Sequence, residues 1–276
     1  MLNLMKADLQ RIFRGKGIYI TLGAFLTLIL TVTIVFSVVG GLDIADTQSM
    51  RVNFGLNVVE ADDFILEMIP ITGATIPFQM MVSVNGLFPF ILVMVVLLVG
   101  VDFASGTVKN VLASGVCRVK YYVSKLILAW LFCALLYSLY VMIPTILVAL
   151  IRGLGDRFNW ALITSIMGPF LIQLSTLLAI TSVAVFLMFT TKKIATTTGL
   201  YLGFLLVPPA IFSVLIVINE RLVGWIYHDL TLGNEAIADF PNLASGSIAR
   251  LFITGLVYIL ASTIGGLLLF KKSEIR

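Results

Sequence analysis

An all-α polytopic membrane fold with six transmembrane helices is what this sequence predicts, and three observations predict it. The first is a set of six long apolar runs, at 18–42, 78–100, 124–151, 161–189, 194–218 and 248–270. Each has the roughly 20 residues needed to cross a hydrocarbon core about 30 Å thick at about 1.5 Å rise per residue. The second is composition: 60% of residues are hydrophobic, 12% are charged and the mean hydropathy is +1.10. A soluble domain carries roughly a quarter charged residues. The third is charge placement. Of the 18 Lys and Arg residues, 13 fall in the loops and tails at one side of a six-span topology, and only Arg51, Arg152, Arg157, Arg221 and Arg250 fall at the other. Basic residues are retained on the cytoplasmic side, so both termini are expected there, as an even number of spans requires. A chain in lipid must satisfy its own backbone hydrogen bonds, which makes these runs helices. The alternating pattern of barrel strands is absent. The 276 residues read as a single transmembrane domain.

Residues 1–16, MLNLMKADLQRIFRGK, precede the first span. Leu2, Met5, Leu9, Ile12 and Phe13 form an apolar stripe at helical spacing, with Asn3, Asp8, Gln10, Arg11 and Arg14 on the rest of the surface. This pattern predicts an amphipathic interfacial helix with its basic residues at headgroup level, in contact with membrane lipids. The first apolar run lacks a small-residue cleavage site after a short hydrophobic core, so it is expected to be a retained span and not a cleaved signal.

The segment 43–77 is acidic, with Asp43, Asp46, Glu60, Asp62, Asp63 and Glu67. It also carries apolar residues at helical spacing, which predicts one or two short outer helices ended by Pro70 and Pro77. Kinks are expected in the second span at Gly86 and Pro89, in the third at Pro144, in the fourth at Pro169 and in the fifth at Pro208 and Pro209. Only Thr190, Thr191, Lys192 and Lys193 join the fourth and fifth spans, so these must form a tight hairpin. Asn159 and Trp160 sit where an interfacial anchor is expected. Between the last two spans, 219–247 is too polar to cross, but Leu222, Trp225, Ile226 and Leu230 can share the face of a short external helix.

The segment 101–123 between the second and third spans is the richest in signals. Gly106 and Gly115 bracket TVKNVLAS, a short helix with Val108, Val111 and Leu112 on one side. Arg118, Lys120 and Lys125 follow as a basic stretch. A connection of this length exceeds the 2–8 residues that join helices in bundles. It therefore reads as a docking element for a cytoplasmic partner.

Several function classes are excluded. No G-x-x-x-x-G-K-[ST] phosphate loop is present, so nucleotide binding by that route is not expected. One histidine, His228, and two distant cysteines, Cys117 and Cys133, predict no metal site. No catalytic residues are predicted, because no span carries a Ser–His pair, paired Asp residues or H-E-x-x-H. The pI of 9.1 reflects the one-sided basic loops and not nucleic-acid binding. The span centres carry no Asp, Glu, Lys, Arg or His, which argues against ion-coupled secondary transport. Polar residues within spans are few. Gln79, Asn85, Gln173 and Thr176 either line a translocation path or hydrogen-bond neighbouring helices. Asn85 and Gln173 are the stronger path candidates, because an unpaired amide in the membrane is costly.

The order of elements then resembles a known family. A basic leader of the form R-x-x-R-x-K precedes one span, an acidic outer segment and a second span. An inner motif D-F-x-x-G-T-x-K-N-x-L-x-S-G-x-x-R-x-x-Y-Y-x-S-K then spans residues 102–125. This resembles the stand-alone membrane subunits of ABC-2-type ATP-binding-cassette exporters. The resemblance covers the whole chain in topology, but its specific motif covers only 102–125. Asp102 stands where many relatives carry Glu. The resemblance implies a bacterial cytoplasmic-membrane permease with residues 2–15 as a connecting helix and about 104–116 as a coupling helix. Gly106, Thr107, Val108, Lys109, Asn110, Val111, Leu112 and Arg118 would then dock a separate ATPase dimer. ATP and Mg would be bound by that partner, and no cofactor by this chain. A second copy or a homologous permease would complete the complex. The Gly-Thr-Val-Lys-Asn form is most similar to Gram-positive permeases that export or detoxify peptides, with antibiotic and lipid-like substrates also known in the family. The rival reading is a membrane anchor or sensor subunit that recruits a cytoplasmic protein without transport.

Overall fold

The computed structural model describes residues 2–39, 76–153, 160–219, 230 and 245–272. The predicted outer helices of 43–75, the Asn159–Trp160 anchor side chains, His228 and the external helix within 219–247 lie outside the described residues.

Helix α1 (Leu2–Arg14) leads through Gly15 into α2 (Lys16–Val39), the first span. The second span is composite: α3 (Ile76–Val82), a 3-10 turn (Val84–Leu87), α4 (Phe88–Val95), a π turn (Val96–Gly100) and α5 (Val101–Ala104). Pro89 lies in the first turn of α4, where a missing N–H is tolerated, so the expected kink is resolved as a change of helix type. Pro77, expected to end an outer helix, instead lies in the first turn of α3. The π turn contains Gly100, where a Cβ would come within 2.9 Å of Met188 and 3.2 Å of Ile194. Glycine here lets the second span approach the joint between α8 and α9.

Helix α6 (Thr107–Ala113) follows, and then α7 (Arg118–Arg152), α8 (Trp160–Thr191), α9 (Ile194–Ile218) and α10 (Ser245–Lys272). Among the described residues, six helices are long and apolar enough to cross a membrane and no strand occurs. The chain is an all-α multi-pass membrane protein. Helices α7, α8 and α9 run through Pro144, Pro169 and Pro208–Pro209 without interruption. The hairpin between α8 and α9 is as tight as expected. Its two linking residues include Lys192 at φ 56°, and the Thr191 and Thr197 hydroxyls meet at 2.6 Å across it.

Helix α8 is the centre of the bundle. Two thirds of its spanning window is buried (67%), against 11% for α9. Helix α10 lies along α8, and small residues permit the approach: a Cβ on Gly255 would meet Ser175 at 3.3 Å, and one on Gly265 would meet Phe186 at 3.3 Å. Helix α9 presents Leu206, Val207, Ile211 and Val214 outward. A hydrophobic helix exposed in this way is stable against lipid tails and would not be in water.

The connection between the second and third spans is shorter than the sequence suggested. The second span continues to Ala104 and α7 begins at Arg118, so Asp102 stands on a membrane-spanning helix and not in a loop, and Lys125 lies two turns inside α7 and not at its start. Helix α1 also differs from expectation. It does not merely float at the interface: Ile12 and Asp8 are both buried against the bundle, and Leu4, Met5 and Leu9 pack partly against its core, while Phe13 remains 49% exposed.

Candidate functional site

At the end of the bundle where α1, α6 and the α8–α9 joint gather, four charged side chains and a tyrosine form a buried cluster. Lys125 sits about two turns into α7 with no solvent exposure. Its ammonium lies 2.7 Å from Asp8 Oδ1, 2.7 Å from Asp102 Oδ2 and 3.2 Å from the Leu98 carbonyl. An ammonium has three protons to donate, and three acceptors surround this one. Asp102, 1% exposed, also accepts hydrogen bonds from Arg11 Nη1 and, at 2.8 Å, from the Tyr121 hydroxyl. Arg11 Nη2 reaches the Leu98 carbonyl at 3.5 Å and Asp8 at 3.6 Å. The Leu98 carbonyl belongs to the π turn, which shifts the regular α ladder and points an acceptor at both cations.

Two carboxylates and two cations balance, so the cluster carries no net charge. Burial alone would pull the Arg11 guanidinium down. The hydrogen bond and charge of Asp102 and the charge of Asp8 outweigh this, and its pKa is raised, keeping it charged. The cluster joins α1, the second span and α7 across 91 residues of sequence between Arg11 and Asp102. Buried charges this far apart in sequence are held by geometry, and removing one leaves the others uncompensated.

An aromatic group lies alongside. Phe189 of α8 packs against Tyr122 at 4.6 Å, Phe270 at 4.9 Å, Phe103 at 5.5 Å and Tyr121 at 6.1 Å between ring centroids. Arg118 Nη1 donates to the carbonyls of Phe270 and Lys271 at 3.2 and 3.1 Å, capping the end of α10. Arg118, expected in a docking surface, is therefore engaged within the chain.

Helix α6 rises directly from this base. Gly106 (φ 69°) and Gly115 (φ 88°) bracket it in left-handed conformations that glycine adopts without strain. Its orientation reverses the expectation. Val108 is 1% exposed and belongs to the core, and Val111 and Leu112 pack partly against it. The outward residues are Lys109, Asn110, Ala113 and Ser114. Thr107 is half-buried, and its hydroxyl lies 2.7 Å from that of Ser105. An apolar stripe on a seven-residue helix can face a partner or its own bundle, and here it faces the bundle.

The four intramembrane polar residues separate. Asn85 is exposed and Thr176 is buried, its hydroxyl donating to the Ile172 carbonyl at 3.3 Å. Gln173 is fully buried, and neither atom of its amide has a hydrogen-bond partner among the described residues. The Gln79 amide oxygen and the buried Tyr137 hydroxyl are likewise unpartnered. Tyr137 stacks at 4.6 Å on Phe170, one helical turn from Gln173. Gln79 is on α3, which packs against both α7 and α8.

Sequence reasoning missed Asp8, Arg11, Asp102, Tyr121 and Lys125 as a group. The available signal was that Asp102 and Lys125 border apolar runs with no other ionisable residue between them and the span centres. No metal-binding cluster of His, Cys, Asp and Glu occurs among the described residues. Neither a known protein family nor a curated protein matches this chain.

Proposed function

We propose that this chain is the permease subunit of an ATP-driven exporter, powered by a separate ATPase that docks at the basic end of the bundle. The observation that carries the reading is the mechanical base of α6. This helix is bracketed by two glycines and stands on a buried ion cluster that reaches α1, the second span and α7. A push on α6 therefore acts on three elements together. The resemblance of 102–125 to the inner motif of ABC-2-type exporters supports the same assignment.

In this reading the basic end faces the bacterial cytoplasm, as the one-sided Lys and Arg distribution favours. The ATPase contacts the outward residues Lys109, Asn110 and Ala113, while Val108, Val111 and Leu112 fix α6 to the bundle. ATP and Mg bind to the partner, and a second copy or a homologous permease completes the path. Gln173 offers an unpaired amide, and Gln79 an unpaired amide oxygen, to an amphipathic substrate such as a peptide, antibiotic or lipid-like molecule.

The test is copurification of an ATP-binding-cassette ATPase from native membranes with the permease, wild type against Lys109→Glu/Ala113→Glu. Both residues are exposed, so the variant is expected to express and insert while losing the ATPase. Full association and peptide-stimulated ATP hydrolysis in the variant would overturn the docking face. Association without any transport or stimulation in the wild type would favour a non-transporting anchor.

A further inference from the structure

A crevice of about 190 Å³ opens between α1, the start of α2 and the last turns of the second span. Ile18, Leu97 and Val101 supply apolar walls, Gly15 and Gly17 leave room where side chains would stand, and Arg11 lines one side. An apolar cavity of about 150 Å³ accommodates a benzene-sized group, so this one holds a larger apolar moiety. The neighbouring side chains of α2, Tyr19 and Ile20, are 62% and 71% exposed, as lipid-facing residues are. The crevice therefore opens where a span meets the headgroup layer.

The charge around it has one sign. Asp8 and Asp102, the acidic residues nearby, are engaged by Lys125 and Arg11. Arg14 and Lys16 flank Gly15, and both are exposed. We infer that this crevice is a specific seat for an anionic phospholipid of the adjoining leaflet, with part of an acyl chain against Leu97 and Val101 and the phosphate toward Arg14 and Lys16. Basic pockets beside spanning helices attract anionic headgroups. A seated lipid would wedge between α1 and the second span, immediately beside the ion cluster. The inference does not depend on the exporter reading.

The test is native mass spectrometry of the purified full-length chain with dioleoylphosphatidylglycerol, dioleoylphosphatidylcholine or soluble glycerol phosphate. The wild type should retain phosphatidylglycerol, and neither of the others. Each basic residue at headgroup level strengthens retention about fivefold, so Arg14→Gln/Lys16→Gln should weaken it about 25-fold. Val101→Trp fills the crevice from a residue that is 39% exposed and should abolish retention. The charge-matched control Lys271→Gln/Lys272→Gln, at the exposed end of α10, should retain lipid like the wild type. Equal retention of the two lipids overturns the proposal, as does binding of glycerol phosphate alone. Equal losses in the two double variants would show only a general attraction to the basic end. If Val101→Trp does not fold, the two glutamine variants still decide between a seat and a general attraction.

Discussion

Two regions of this bundle bury polar side chains, and they do so in opposite ways. At the basic end, Lys125, Asp102, Asp8 and Arg11 pair charge with opposite charge, three acceptors surround the Lys125 ammonium, and Asp8 Oδ2 is the one buried atom of the cluster without a hydrogen bond among the described residues. Further along α7 and α8, Gln173 and Tyr137 are neutral yet unmatched. The difference separates structure from availability. A buried network in which each charge faces an opposite one locks the elements that carry it. An unsatisfied buried amide raises the energy of the packed state and leaves a group free for a guest.

The largest effect that could break this comparison is expected at Lys125. Replacing it with Met removes the cation that two buried carboxylates share, and should destabilise the chain by about 3–5 kcal/mol. Thermal unfolding in detergent micelles reads this directly. A Lys125→Met protein as stable as the wild type would mean that the cluster is not locked.

A smaller effect of opposite sign is expected at Gln173. Leu fills a similar volume without the unpaired amide, so Gln173→Leu should raise stability by about 1–3 kcal/mol. If the exporter reading holds, transport should fall at the same time. A loss of stability would show that the amide is partnered and would erase the contrast.

Gly266→Ala sharpens the comparison at the basic end. The new Cβ would collide with the Tyr122 hydroxyl and lie 2.7 Å from its ring. The Tyr122 side chain must shift from its place beside Phe189 and Ser262, at a cost of about 1–3 kcal/mol for overpacking. Unchanged stability would mean that this end is looser than the ion cluster implies.

The smallest effect concerns thiol chemistry and leaves stability untouched. Cys117 is exposed, and the backbone N–H groups of Val119 and Lys120 hold its thiol pKa below the ordinary value. Alkylation should therefore accelerate at a lower pH than for a free thiol, because the thiolate is the nucleophile. Buried Cys133 should stay unmodified until the chain unfolds. A Cys117 rate that follows the free-thiol pH profile would remove this assignment.

The spans were legible because bilayer thickness imposes a length that no loop residue can disguise. The run 194–218 coincides with α9, and the joint at Lys192–Lys193 fell where four polar residues separated two apolar runs. The bracketing of α6 was legible through Gly106 and Gly115. Its orientation was not, since Val108, Val111 and Leu112 mark a face without saying what covers it. The ion cluster was least visible. Charged residues at the end of an apolar run read as loop, and nothing local ties Asp8 to Lys125. Nor does composition announce a π turn: Val-Leu-Leu-Val-Gly is as apolar as the helix around it.

That π turn gives the second span one residue of slack. An α-helix advances about 100° per residue, and a π turn spreads one revolution over about one residue more. Deleting one residue from Val96–Gly100 would let the ladder close as a regular helix, and the segments on either side would stay in phase. Asp102 would still face Lys125 and Tyr121. What would be lost is the Leu98 carbonyl that the turn aims at Lys125. A second deletion would find no slack and would carry every residue beyond it about 100° around the axis. The span behaves as a shaft with a take-up joint, which absorbs one missing residue at the expense of an acceptor for the cation beside it.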